Sequence, residues 1–326
     1  MFSRRIPTYA YTRVPTILGG TIGQNKVVSP VVKKLLFNEV TMRDGFQGIK
    51  SPIVTVKNKL RLLSVLSNTG YGYVEIGSFA SPKIVPQMAN TLDLIKKLDT
   101  IERNPFTTLG VLVLNESGLR TVIDNQTLFK QHNITVSLVT SPSDHFCSHN
   151  MKMNSQLATK FVTDAIKILM QVGLQNRIYI STCFSDQLNW ISPDAVARVV
   201  DQIYPFANEI VLSDTFATAT EDNVDALLDT ITDRYGPDRL TMHFHEGNDS
   251  AMAHRNVLTS IAQGVRSFDG TISDNLGGCI SFDKTHRNLD LISLFDKTLK
   301  CSNGLYTEMK NARDMLPSMF IIYDVE

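Results

Sequence analysis

Leu35-Leu36-Phe37-Asn38-Glu39-Val40-Thr41-Met42-Arg43-Asp44-Gly45 is the stretch on which the fold turns. It begins as an apolar, β-prone run, the expected strand Leu35–Met42, and ends in an arginine, an aspartate and a glycine. A doubly wound open sheet usually opens with a glycine-rich phosphate turn of the type G-x-G-x-x-G at this point. That turn is missing here, and a charged pair stands in its place. Seven more runs of the same kind follow, at Gly72–Phe79, Thr108–Leu114, Ile134–Val139, Arg177–Phe184, Glu209–Ser213, Leu240–His245 and Ser267–Ser273. Helical periodicity fills the intervals, at Val54–Ser67, Ile84–Leu98, Ser155–Val172, Pro193–Tyr204, Glu221–Tyr235 and Asp249–Gln263. Ser192 before Pro193 has the residue types of a helix cap followed by a first helical position. Strands alternating with helices imply parallel pairing, because each helix returns the chain to the same end of the sheet. Eight such units specify an α/β chain folded as a (β/α)₈ TIM barrel over residues 35–326, with a short C-terminal extension.

Composition narrows the function classes. The 326 residues carry 32 Lys plus Arg against 32 Asp plus Glu, a net charge of +0. Neutrality argues against nucleic acid as a partner. No apolar run reaches the roughly 20 residues of a transmembrane helix, so no membrane partner is expected. Cys147, Cys183, Cys279 and Cys301 are too scattered for a disulfide framework, and no C-x-x-C pair suggests structural zinc. Residues 1–34 differ from the rest. Arg4, Arg5, Arg13, Lys26, Lys33 and Lys34 stand there with no acidic residue before Glu39. This basic, hydroxylated leader has the composition of a transit segment, which gives mitochondrial localisation as the expectation and the cytoplasm as the alternative.

In a TIM barrel the reactive groups sit at the carboxyl ends of the strands. Arg43 and Asp44 follow the first strand, Glu75 lies late in the second, and Asp214 follows the sixth. His243 and His245 end the seventh, and Asn275 to Cys279 follow the eighth. Residues i and i+2 of a strand share a face, so the imidazoles of His243-Phe244-His245 point together, away from Met242 and Phe244. Two histidines and the Asp44 carboxylate make a mixed nitrogen and oxygen site suited to Mg²⁺ or Mn²⁺. Arg43 supplies a guanidinium for a developing oxyanion, Gly45 permits the turn behind it, and Gln47 adds a neutral polar group. Gly277 and Gly278 precede Cys279 in a segment suited to a lid, and its thiol is a candidate acid or base.

These motifs resemble those of the hydroxymethylglutaryl-CoA lyase family. Asn38-Glu39-Val40-Thr41-Met42-Arg43-Asp44-Gly45-Phe46-Gln47 is similar to the family's opening signature. Val74-Glu75-Ile76-Gly77-Ser78-Phe79-Ala80-Ser81-Pro82-Lys83 is similar to its second. Ser213-Asp214-Thr215, His243-Phe244-His245 and Leu276-Gly277-Gly278-Cys279 follow in the family's order. The resemblance implies cleavage of 3-hydroxy-3-methylglutaryl-CoA to acetyl-CoA and acetoacetate, a step of ketone-body formation and leucine degradation. It implies a divalent cation held by Asp44, His243, His245 and Asn288, an acyl-CoA substrate and a homodimer. Arg43, Asp44, Glu75, His243 and Cys279 would be the catalytic set. The chain departs from the family after Cys279, where Ile280-Ser281-Phe282-Asp283-Lys284 replaces a proline and small residues, and at Arg287, where glycine is usual. Alternatives stay open: a related acyl-CoA lyase or a condensing enzyme of the isopropylmalate or homocitrate synthase type, and a catalytically silent barrel that binds acyl-CoA.

Overall fold

The computed structural model describes residues 35–49, 52–273, 276–277, 286–299 and 304–319. The basic leader and Cys279 therefore lie outside the described residues. Strands β1 (Leu36–Glu39), β2 (Tyr73–Ser78), β3 (Thr108–Val113), β4 (Ile134–Thr140), β5 (Asn176–Ile180), β6 (Glu209–Asp214), β7 (Leu240–Glu246) and β8 (Ser267–Gly270) each pair in parallel with the next. β8 returns to β1, with Leu36 opposite Ser267 and Glu39 opposite Gly270, so the sheet closes into a barrel. The short β9 (Arg287–Asn288) runs antiparallel to the end of β7 and sets Asn288 opposite His245.

The surrounding helices include α1 (Val56–Asn68), α2 (Thr91–Lys96), α3 (Glu116–Asp124), α4 (Gln126–Gln131), α5 (Asp144–Met151) and α6 (Ser155–Gln171). After β5 come α7 (Pro193–Ile203), α8 (Glu221–Tyr235), α9 (Ser250–Ala262), the single turn α10 (Leu291–Ser293) and α11 (Gly304–Met319). Ser192 caps α7 by accepting the Ala195 N–H, with Pro193 at the first position. Among the described residues no helix is long and apolar enough to cross a membrane.

Alternation along β7 divides its side chains between two environments. Met242 and Phe244 are fully buried in the layer between barrel and helices, while His243 and His245 point inside. The barrel interior is unusual for its polarity. Aliphatic layers normally fill such a barrel, whereas Tyr73, Glu75, Arg177, Tyr179, His243 and Asp269 meet here by hydrogen bonds. Gly110 makes room for them, because a Cβ there would stand 1.8 Å from the Tyr73 hydroxyl.

Several elements differ from the sequence reading. β1 stops at Glu39 rather than Met42, because Thr41–Gly45 wind into a π-helical turn. The expected helix Ile84–Leu98 is broken into a 3₁₀ turn at Pro86–Met88 and the short α2. Pro86 has no N–H to give a helix. The polar side chains that follow are tied elsewhere: Gln87 and Asn90 donate to the carbonyls of Pro52 and Val54. β5 ends at Ile180, since Thr182 two residues later takes a left-handed φ of 57°.

Candidate metal centre

The π turn is what aims the first two site residues. The N–H groups of Arg43, Asp44 and Gly45 converge on the Val40 carbonyl at 3.2, 2.7 and 3.1 Å. Such widened turns recur at functional sites. Two side chains pin it: Glu39 Oε1 accepts the Thr41 N–H at 2.8 Å, and Thr41 Oγ1 accepts the Ile272 N–H at 3.1 Å beyond β8. Arg43 and Asp44 are thereby buried at the carboxyl end of the barrel. Arg43 Nε donates to Glu75 Oε2 and its Nη1 to Asp44 Oδ1, each at 2.5 Å. Gln47 also donates to Asp44 Oδ1.

The other carboxylate oxygen faces the histidines. Asp44 Oδ2 is buried and accepts no hydrogen bond among the described residues. His243 Nε2 lies 3.6 Å from it, His245 Nε2 3.5 Å, and the two nitrogens stand 3.1 Å apart. Hydrogen bonds at the far sides of the rings assign the tautomers. His245 Nδ1 is 2.9 Å from the Thr215 carbonyl oxygen, which only accepts, so Nδ1 carries the hydrogen. His243 Nδ1 is 3.2 Å from the Asp269 carboxylate and carries a hydrogen for the same reason. In their neutral forms both Nε2 atoms present lone pairs to each other and to Asp44 Oδ2. Three buried lone-pair donors converging on one point need a cation between them.

A divalent metal fits that demand. Neighbouring ligands of an octahedral ion at about 2.1 Å stand about 3.0 Å apart, close to the observed separations. The remaining ring nitrogens are each held by an acceptor, the usual arrangement behind metal-bound histidine. Asn288, on β9 beside His245, offers a further oxygen, since its buried Oδ1 has no hydrogen-bond partner among the described residues. Gly277 lets the chain pass this asparagine: its φ is +100°, and a Cβ there would meet Asn288 Nδ2 at 1.6 Å.

A proton is the other cation that meets the demand. Burial alone would lower the His243 pKa, but Asp269 and Asp44 together raise it from 6.5 to about 9. Burial likewise opposes the charge on Asp44, yet Arg43 and then the histidines hold its pKa well below the ordinary carboxylate value. Metal must therefore displace a proton from His243 at any pH below about 9. Uptake of Mn²⁺ at pH 7.5 is expected to release about one proton, measured by calorimetry in two buffers of different ionisation enthalpy. The metal-free fold has a matching pH dependence. Its gain from charged His243 is complete below the unfolded pKa of 6.5 and is lost as pH rises through about 9.

The site residues read from the sequence are thus distributed unevenly. Arg43, Asp44, Glu75, His243 and His245 meet in one cluster, with Asn288 at its edge. Asp214 serves its own loop, its carboxylate accepting the N–H groups of Thr218 and Ala219 at 2.9 and 3.1 Å. Cys279 lies outside the described residues. Sequence reading missed Tyr73, Arg177, Tyr179 and Asp269. The available signal was the two-residue period: Tyr73 with Glu75 and Arg177 with Tyr179 share a strand face, as His243 does with His245.

A cavity of about 330 Å³ opens over the cluster. Arg43, Asp44, His243 and His245 form one wall; Leu112, Val139, Phe146 and Met151 form an apolar one. Asn150 and Lys152 lie at the rim. A polar reaction centre facing an apolar wall suits an amphiphilic substrate.

The chain is similar to known proteins over most of its length. The HMGL-like family model matches residues 34–277. The hydroxymethylglutaryl-CoA lyase YngG of Bacillus subtilis is 29% identical over 260 residues, covering 77% of this chain and 80% of that one. A 3-hydroxy-3-isohexenylglutaryl-CoA/hydroxymethylglutaryl-CoA lyase of Pseudomonas aeruginosa is 29% identical over 249 residues, 76% and 79% of the two chains. Among solved structures, an HMG-CoA lyase of Acinetobacter baumannii in complex with coenzyme A and 3-methylmalate superposes with a TM-score of 0.77 at 25% identity. That match covers 90% of this chain and 93% of the other.

Proposed function

The chain belongs to the HMGL-like family, and on that premise we propose that it cleaves 3-hydroxy-3-methylglutaryl-CoA to acetyl-CoA and acetoacetate. The observation that carries this reading is the convergence of Asp44 Oδ2 and the two histidine Nε2 atoms beside the Arg43 guanidinium. Asp44, His243, His245 and Asn288 would hold a divalent cation, Mg²⁺ or Mn²⁺ by the oxygen and imidazole donor set. Bound there, a cation would supply Lewis-acid chemistry that makes the substrate's hydroxyl easier to deprotonate.

The residues of the chain divide the rest of the work. The reaction takes a proton from the tertiary C3 hydroxyl, whose O–H pair becomes the new carbonyl of acetoacetate. The C2–C3 bond breaks, and its electron pair passes onto the thioester as an enolate, which takes a proton at C2. Arg43 is held by Glu75 and Asp44 through Nε and Nη1. Among the described residues nothing is bonded to Nη2, which remains for the enolate oxygen. Asp44 and His243 would take the hydroxyl proton, and Glu75 keeps the guanidinium in line through its bond to Nε. Cys279 would return the proton at C2. The apolar wall excludes water, which would otherwise compete for the enolate.

The acid-free leader and the mitochondrial lyase of Macaca fascicularis among the relatives support a mitochondrial setting, where acetoacetate would serve ketone-body formation and leucine degradation. A homodimer is the proposed assembly. The test of the function is direct. Acetoacetate and acetyl-CoA formation is expected to vanish after dialysis against a chelator and to return with Mn²⁺ or Mg²⁺. Undiminished turnover by verified metal-free protein would overturn the metal reading, and no turnover under any metal would overturn the substrate.

A further inference from the structure

The barrel interior behind His243 holds a second carboxylate that no part of the proposed reaction uses. Asp269, on β8, is fully buried, yet both of its oxygens accept hydrogen bonds. Its Oδ1 accepts from Asn38 Nδ2 at 2.9 Å and from Arg177 Nη2 at 2.6 Å. Its Oδ2 accepts from Arg177 Nη1 and from the Tyr179 hydroxyl, both at 3.1 Å, and faces His243 Nδ1 at 3.2 Å. Arg177 in turn is fully buried, with its Cζ 4.6 Å from the Tyr73 ring centroid and 4.9 Å from that of Tyr179.

We propose that Asp269, clamped by Arg177, is a positioning residue that fixes the ring of His243 and so determines the cation affinity of the site. Arg177 grips both oxygens and Asn38 takes the other side of Oδ1, so Oδ2 is the oxygen left to face His243 Nδ1, beside the Tyr179 hydroxyl. A carboxylate there both keeps the hydrogen on Nδ1 and makes the imidazole a stronger donor at Nε2. His245 is held differently, by the neutral Thr215 carbonyl. The two histidines are therefore unequal, and the charge-backed one is the stronger ligand. Asp269 is buried and does not line the cavity, and its contact with the proposed ligands is the one to His243.

The inference rests on the proposed metal centre, and the test separates the two. Mn²⁺ is titrated calorimetrically into metal-free wild-type protein and into Asp269→Asn, with circular dichroism to establish folding. The amide keeps the size but not the charge, and turns a donor or a neutral oxygen toward Nδ1. Mn²⁺ affinity is expected to fall about 10- to 100-fold, and activity lost at low Mn²⁺ to be largely regained at high Mn²⁺. A folded Asp269→Asn protein with wild-type affinity overturns the inference, as does lost activity that excess Mn²⁺ does not restore. Should Asp269→Asn not fold, Arg177→Lys takes its place. Lysine cannot grip both carboxylate oxygens, so weaker Mn²⁺ binding is again expected and unchanged binding again overturns it. A wild-type protein that binds no Mn²⁺ removes the metal reading itself.

Discussion

His243→Ala is expected to lose Mn²⁺ binding and to lower kcat by roughly 10³-fold or more. The size follows from the electrostatics of the site. A metal acting on a developing oxyanion contributes several kcal/mol, and each 1.36 kcal/mol is a factor of ten in rate; a loss of about 4 kcal/mol is thus about 10³-fold. The substitution takes away one of three converging donors, leaving Asp44 Oδ2 and His245 Nε2 at 3.5 Å. With Asn288 beside His245, three of the four proposed ligands remain and only one of them is a nitrogen. The fold should survive, because Asp269 keeps Arg177, Tyr179 and Asn38 as partners when His243 is removed. Calorimetric titration of Mn²⁺, together with steady-state acetoacetate formation, checks both halves. A variant that binds Mn²⁺ within a few-fold of wild type and turns over normally would remove His243 from the centre.

How much of this was legible beforehand depended on sequence distance. His243 and His245 are two residues apart on a strand, and the period of a strand states that they share a face. Arg43 and Asp44 were visible as a charged pair after the first strand. Their turn was not: a π turn is closed by backbone groups meeting at the Val40 carbonyl, which leaves no distinctive side-chain pattern. The contacts that build the interior join residues far apart. Arg43 and Glu75 are 32 positions apart, His243 and Asp269 26, and Arg177 and Asp269 92. Only barrel closure, which sets β8 beside both β1 and β7, brings Asp269 to His243 and Asn38. Ser-Phe-Asp-Gly reads locally as an ordinary short strand. Asn288 was reached only through the family resemblance, for its place depends on β9 pairing with β7.

Arg43→Lys is expected to lower kcat about 10²-fold while changing KM little. The substitution keeps the charge and takes away the shape. In the wild type one planar fork meets Glu75 through Nε and Asp44 through Nη1, with Cζ 5.0 Å from the Tyr179 ring centroid. Those three contacts fix the guanidinium plane, so the direction of Nη2 is determined before substrate arrives. Lysine offers a single ammonium on a flexible stem and cannot hold both carboxylates while donating to a third oxygen. The enolate oxygen carries its charge mainly in the transition state, so a donor aimed at it acts on kcat rather than on binding. Loss of one such donor costs about 3 kcal/mol. Mn²⁺ affinity is measured alongside, because an ammonium would meet Asp44 differently from the native guanidinium, and a metal defect would lower kcat by another route. The two causes separate at saturating Mn²⁺: a defect of metal binding is recovered there, and a missing enolate donor is not. A variant with near-normal kcat under those conditions would show that the negative charge develops elsewhere, and the Nη2 edge of Arg43 would have no part in the cleavage.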